Sequence, residues 1–120
     1  MVEASNIIAA MLTAIFVFAS SIKLLGWQKT IFETQLRFFE KYGLSRSHMG
    51  ATGVVELAGA VLLWVPEGAR ALGALLILAT SLGAIFFHLR FDTWRDAMPA
   101  MVTATLSAMV LNWTAQEFLS

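Results

Sequence analysis

The feature that most constrains this chain is the near-absence of charge over long apolar stretches. Lys, Arg, Asp and Glu are missing from Ala4–Ile22, Leu57–Pro66, Ala71–Leu89 and Ala97–Gln116. The second stretch reaches back to Ser47 if Glu56 is allowed as one interior exception. Each is then close to the ~20 residues a helix needs to cross ~30 Å of hydrocarbon. A strand reading fails because the runs are continuous and show no period of two. Hydrophobic residues make up 58% of the chain and charged residues 13%, too little polar surface to coat a soluble domain of this size. The expectation is an all-α fold: an integral membrane four-helix bundle, one domain over residues 1–120, with spans at about 5–25, 48–65, 70–89 and 97–116.

The flanks support this division. Pro66 and Gly68 interrupt the chain between the second and third spans, and Pro99 falls in the first turn of the fourth, where proline is tolerated. The opening "MVEASN" has Glu3 but no basic residue, so the first run is expected to be a retained span rather than a cleaved signal. Basic residues divide unevenly: Lys23, Lys29, Arg37, Lys41, Arg46, Arg90 and Arg95 follow spans one and three, and only Arg70 lies on the other side. The positive-inside rule then makes loops 23–48 and 89–97 cytoplasmic, with both termini outside a cell (inner) membrane crossed several times. Trp27 and Trp94 fall at the proposed inner interface, Trp64 and Trp113 at the outer one.

Between the first two spans, residues 29–42 form an amphipathic pattern at 100° per residue. Ile31, Phe32, Leu36, Phe38, Phe39 and Tyr42 share one arc, charged residues and threonines share the other, and Gln35 is the one misfit. Two placements are open for this helix: in the inner interface with its phenylalanines down, or folded onto the bundle as a lid. Gly43 is placed to end it as a C′ glycine.

Helices in lipid associate through small residues that permit close approach. Candidates are Ala100, Ala104 and Ala108 in span four, and the pairs Ala69/Gly73 and Ala79/Gly83 in span three. In span two, Thr52, Gly53, Gly59 and Ala60 share a face with Glu56, which turns the carboxylate into the bundle. A charge at mid-membrane costs at least ~2.5–3.5 kcal/mol, so it marks a candidate site. Lys23 at the end of span one and His88 at the end of span three approach the same inner half, and Asp92 lies in the loop just beyond. The candidate polar cluster is therefore Glu56, His88, Lys23 and Asp92, able to bind a headgroup or exchange protons. The competing reading is structural: Glu56 neutral and hydrogen-bonded to Thr or Ser, or paired with Lys23 only to hold helices in register, with Lys23 or His88 snorkelling.

Several chemistries are disfavoured. Net charge is zero, so there is no basic field for nucleic acid, and with no cysteine there is no thiolate site or disulfide. His48, placed in a loop, and His88 have no metal-ligand spacing, so no metal site and no bis-histidine haem are expected. Ser20 and Ser21 have no histidine nearby to activate a nucleophile.

The motifs "SSIKLLG", "GVVELAGAVLL", "GAIFFHLRFD" and "MPA" together resemble the DoxX-like family of small four-span membrane proteins, over most of the chain. Lys23, Gly53 with Glu56, and His88 match residues that recur in that family, whereas Ser20 stands where a glycine often precedes the lysine. The resemblance implies an accessory subunit of a membrane redox system, with no intrinsic cofactor but a quinone or lipid headgroup as ligand. It also implies membrane lipid as a partner, together with self-association or another membrane protein. An assembly factor without catalysis, as in eukaryotic relatives, and a small oligomeric transporter are the alternatives.

Overall fold

The structure, a computed structural model, describes residues 2–65 and 69–119, so Pro66 and Gly68 lie outside the described residues. It is all-helical, with five helices and no strand among the described residues: α1 (Val2–Leu25), α2 (Lys29–Lys41), α3 (Arg46–Leu62), α4 (Ala69–Phe91) and α5 (Met98–Leu119). Two segments, Glu3–Leu25 and Ala69–Phe91, are long and apolar enough to cross a membrane. At 17 residues, α3 is only ~26 Å long against a ~30 Å hydrocarbon core. α5 is long enough at 22 residues, but Thr103, Thr105, Ser107, Asn112 and Thr114 dilute its apolar character.

The four long helices close into a ring in which α1 packs on α3, α3 on α4, α4 on α5, and α5 more lightly on α1. Neighbours run antiparallel. Lys23 near the end of α1 lies beside Gly53 early in α3, and Arg70 at the start of α4 donates through Nε to the carbonyl of Leu63 after α3 (2.7 Å). The same guanidinium reaches Asn6 Oδ1 (2.8 Å), gathering the start of α1 into that end of the bundle. α2 lies across the opposite end.

Two glycine contacts set the helix spacing. A Cβ on Gly73 would stand 2.6 Å from the carbonyl oxygen of Gly59, so α3 and α4 cross backbone to backbone. A Cβ on Gly53 would meet Lys23 Cβ at 3.0 Å and Leu24 Cγ at 3.1 Å, so α1 packs its side chains directly on the α3 backbone there.

The outside is apolar and the inside carries the polar groups. Ile7, Met11, Ile15, Phe18, Leu72, Leu75, Leu82, Phe86 and Leu89 are exposed, while Ser5, Ser20, Lys23, Glu56, Ser81, Thr103, Ser107 and Thr114 are buried. The buried hydroxyls are satisfied locally: Ser107 donates to Ala104 O (3.1 Å) and Thr114 to Val110 O (2.9 Å). Ser81 and Thr103 join α4 to α5 at 2.7 Å.

Two small-residue stripes differ from expectation. Ala104 is buried, but Ala108 is exposed, and so is Ala79 in α4. An i, i+4 stripe drifts ~40° per step around a helix, so it leaves the contact face within two steps. The inward face of α5 is instead Thr103, Ala104, Ser107, Val110 and Thr114. His48 also differs: it is in the first turn of α3, where its Nδ1 accepts the backbone N–H of the N-cap Ser45 (3.1 Å).

α2 ends as the glycine predicts. Gly43 has φ +81°, Gly43 N–H donates to Glu40 O (3.0 Å) and Leu44 N–H to Phe39 O (2.8 Å), a Schellman closure. Gly26, just before α2, also has a positive φ (63°). α2 buries none of its residues fully, yet it folds onto the bundle rather than away from it. Of the two placements left open, the lid is the one adopted.

Gly73→Ala should cost ~1–3 kcal/mol by overpacking the α3/α4 crossing, whereas Gly83→Ala, whose Cβ meets nothing within 4 Å, should be near neutral. Paired thermal melts in detergent check this.

Candidate functional site

Beneath α2 residues of all five helices line a partly open cavity of about 640 Å³, a volume suited to a small-molecule site. Its walls mix rings with polar groups: Phe16 and Lys23 from α1, Gln35, Phe38 and Phe39 from α2, and Glu56 from α3, with Phe87 and His88 from α4 and Thr103 from α5. Apolar faces of α2 roof it, because its aromatic arc points down onto the bundle.

Lys23 and Glu56 meet on one wall. Lys23 Nζ stands 3.0 Å from Glu56 Oε1, with side chains only 10% and 8% exposed. At this distance the ammonium, with three rotatable N–H donors, supplies Glu56 Oε1 with a charge-assisted hydrogen bond as well as an opposite charge. Removing two charges from water costs several kcal/mol per ion, which their attraction offsets only at close range. Gly53 permits that range, since any larger residue there would push Lys23 away from α3.

His88 joins a second cluster at the end of α4. Its Nδ1 lies 2.9 Å from Asp92 Oδ2 and 3.0 Å from the Tyr42 hydroxyl, which itself donates to Asp92 Oδ2 (2.5 Å). Lys41 closes the cluster with an ion pair to Asp92 Oδ1. The Asp92 carboxylate is the acceptor for a proton on Nδ1. Tyr42 also stacks on Phe87 (centroids 4.9 Å apart), and Phe38 meets the His88 ring edge-on (5.2 Å). These contacts fasten the C-terminal end of α2. Its N-terminal end is held by Arg46, whose guanidinium lies 5.0 Å over the Phe32 ring and donates to Leu24 O (3.1 Å).

The structure thus sorts the sequence candidates into two groups. Lys23, Glu56 and His88 all line the cavity, with Glu56 and His88 engaged by different partners. Asp92 is not on the cavity wall; its side chain is 1% exposed beneath the end of α2, and Asp96 lines the cavity instead. Sequence reasoning missed Gln35, Tyr42, Lys41 and His48 as site residues. Gln35 did leave a signal as the polar misfit on the apolar arc of α2, and that position now faces the cavity. Tyr42 left none, because a tyrosine among phenylalanines looks like packing.

Titration follows the geometry of the second cluster. Burial raises the Asp92 carboxyl, but hydrogen bonds from Lys41, Tyr42 and His88 outweigh it and hold the group below the ordinary carboxylate range. Burial, then the hydrogen bond to Asp92 and its negative charge, pushes the Tyr42 hydroxyl well above its ordinary value. A lowered carboxyl stabilises the docked helix above the ordinary value of about 4 and loses that contribution as pH falls through the folded-state value. A raised phenol stabilises below its ordinary value of about 10 and loses the contribution as pH rises beyond it.

An apolar exterior around a polar-lined cavity is the layout of a small membrane protein. The chain matches the DoxX-like family over residues 7–110 and belongs to that family. Neither a curated protein nor a solved structure matches it.

The protection factors of the α2 amides, that is, exchange corrected for its intrinsic pH dependence, should therefore be constant through neutral pH and fall below about pH 4. Tyr42→Phe should lower them roughly ten-fold or more at neutral pH, since a hydrogen bond to a charged group contributes ~1.5–3 kcal/mol. Exchange that is indifferent to Tyr42→Phe would mean the cluster does not fasten the helix.

Proposed function

We propose that the protein is a membrane-embedded binding protein for an amphiphile, with the apolar part among the phenylalanines and the polar head at Lys23, Glu56 and His88. The observation carrying this reading is the cavity itself: about 640 Å³, lined by phenylalanines and by the buried Lys23–Glu56 pair. A pair serving only helix register gains nothing from a cavity beside it. Lipid headgroups and quinone-type rings both suit the walls, the rings because Phe38, Phe39 and Phe87 offer flat faces. Any redox centre would come from a partner, which makes this chain an accessory subunit.

In this reading α1, α3, α4 and α5 all span the membrane. The 45 Å long axis agrees with a bilayer of ~40–45 Å including headgroups. The antiparallel ring supports four crossings, with α3 accommodated by its short length and flanking Trp64. Seven of the eight basic residues lie at the α2 end and Arg70 at the other, which supports a cytoplasmic α2 and termini outside an inner membrane.

The chain has no cysteine, so single-cysteine reporters are clean. In intact cells a membrane-impermeant maleimide should label Glu3→Cys but reach Thr93→Cys only after permeabilisation; the reverse pattern would invert the topology. For the ligand, native mass spectrometry of protein extracted from its membrane should find a bound amphiphile. Ala84→Trp, which fills the cavity, should remove it, and retention in a folded Ala84→Trp variant would sink the cavity reading.

A further inference from the structure

The helix faces that touch at one end of the α3/α4 pair line the cavity at the other. At the touching end a Cβ on Gly73 would stand 2.6 Å from Gly59 O. Stepping back from Gly59 by four, seven and eleven residues gives Val55, Thr52 and His48, on the same face of α3. Stepping forward from Gly73 by seven, eleven and fourteen gives Thr80, Ala84 and Phe87, on the matching face of α4. All six line the cavity. The two helices therefore diverge from a glycine apex toward α2, and the cavity fills the angle between them.

α2 covers the wide end of this angle, where Tyr42 stacks on Phe87 (4.9 Å) and Phe38 meets His88 edge-on (5.2 Å). The side is open. Val55 is 36% exposed although it lines the cavity, and His48 and Ala51 along the same edge are exposed too. Across the gap, a Cβ on the lining residue Gly83 would meet nothing within 4 Å. The surface beside this window is apolar, with Val54 and Leu57 exposed on α3 and Leu82 and Phe86 on α4. Polarity rises inward, to the buried Lys23, Glu56, Ser81 and Thr103 of the inner wall. An amphiphile lying through the window has its chain at the apolar rim and its head where polar partners offset burial.

We infer that the cavity opens sideways into the bilayer between α3 and α4, and that its ligand comes from the α2-side leaflet, chain through this window and head inside. The inference rests on the binding reading and membrane placement above, and adds the ligand's source and orientation. The competing route is the lighter α1/α5 seam, because Ile15 also lines the cavity and is exposed. Ile22, seven residues further along the same flank of α1, is fully buried, as is Ala97 before α5, which narrows that seam at the α2 end.

Three lipid probes with the same mid-chain diazirine test this, differing only in the head: phosphatidylcholine, phosphatidylethanolamine and diacylglycerol. The protein is irradiated in nanodiscs doped with each, and peptide mass spectrometry maps the labelled residues. Outward positions such as Leu75 and Leu82 label from any surrounding lipid. With at least one probe, the buried wall residues Phe16 and Thr103 should be labelled as well. Val55→Trp should lower the wall labelling ten-fold or more, with unchanged labelling at Leu75 and Leu82 reporting an intact fold. Gly83→Phe plugs the window from the opposite edge and should do the same, whereas Ile15→Trp should leave the wall labelled. Wall labelling that survives both plugs, or that only Ile15→Trp removes, would overturn the α3/α4 route and leave the binding reading standing. So would labelling confined to outward positions in protein that still carries an amphiphile removed by Ala84→Trp. An unlabelled wall in protein without such an amphiphile would overturn both.

Discussion

The Lys23–Glu56 pair is the interaction on which the architecture turns. Two ions with side chains about nine-tenths buried are tolerable only when they are close, and helices carrying ordinary side chains at the contact would hold them apart. Gly53 lets α1 approach α3 at the level of Lys23, and Gly59 and Gly73 let α4 approach α3 one to two turns further on. α3 is thus the helix against which its neighbours are positioned. Its small face, Gly53, Glu56, Gly59 and Ala60, is buried, and Val54, Val55 and Val61 are turned outward. The charge and the close packing are one device, because the glycines that admit the neighbouring helices also admit the counter-ion.

That close approach on α3 also explains where the cavity lies. Glycine contacts draw α1 to α3 and α3 to α4, while α5 touches α1 only lightly. The ring packs extensively at every neighbouring pair except the lighter α1/α5 seam, and the space left at the α2 end is what Phe38 and Phe39 cover. An open bundle end would normally expose Lys23 and Glu56 to water. With α2 across it, both side chains are only about a tenth exposed, which strengthens the attraction between the charges.

Much of this was legible in the sequence because it depends on local pattern. The apolar runs give α1 and α4, the amphipathic arc gives α2 to within one residue of its observed end, and Gly43 is the left-handed C′ residue. The inward aim of Glu56 follows from the small residues three and four positions away. What local pattern does not contain is the angular drift between distant turns, which is why the Ala100–Ala104–Ala108 stripe leaves the contact face at Ala108. Nor does it contain pairing across helices. Glu56 could have met Lys23 or His88 on sequence grounds, and only the rotation of α4 decides that His88 turns to Asp92 and Tyr42 instead. Asp92 was placed at the right end of the molecule but behind the wall, since the residue after a helix can fold either way.

The position of α2 makes the two polar clusters complementary in kind. Lys23 and Glu56 belong to α1 and α3, whose separation is fixed by glycine contacts, so the pair is part of the rigid frame. Tyr42 and Lys41 belong to a helix with no fully buried residue, bounded by Gly26 and Gly43 in left-handed conformations. A segment held by few buried contacts opens at lower free-energy cost than the bundle beneath it. The frame therefore fixes Lys23 and Glu56, while α2 carries Gln35, Phe38 and Phe39 on the movable side. In the binding reading a ligand touching both would tie the roof to the frame, so occupancy of the cavity would favour closure of α2.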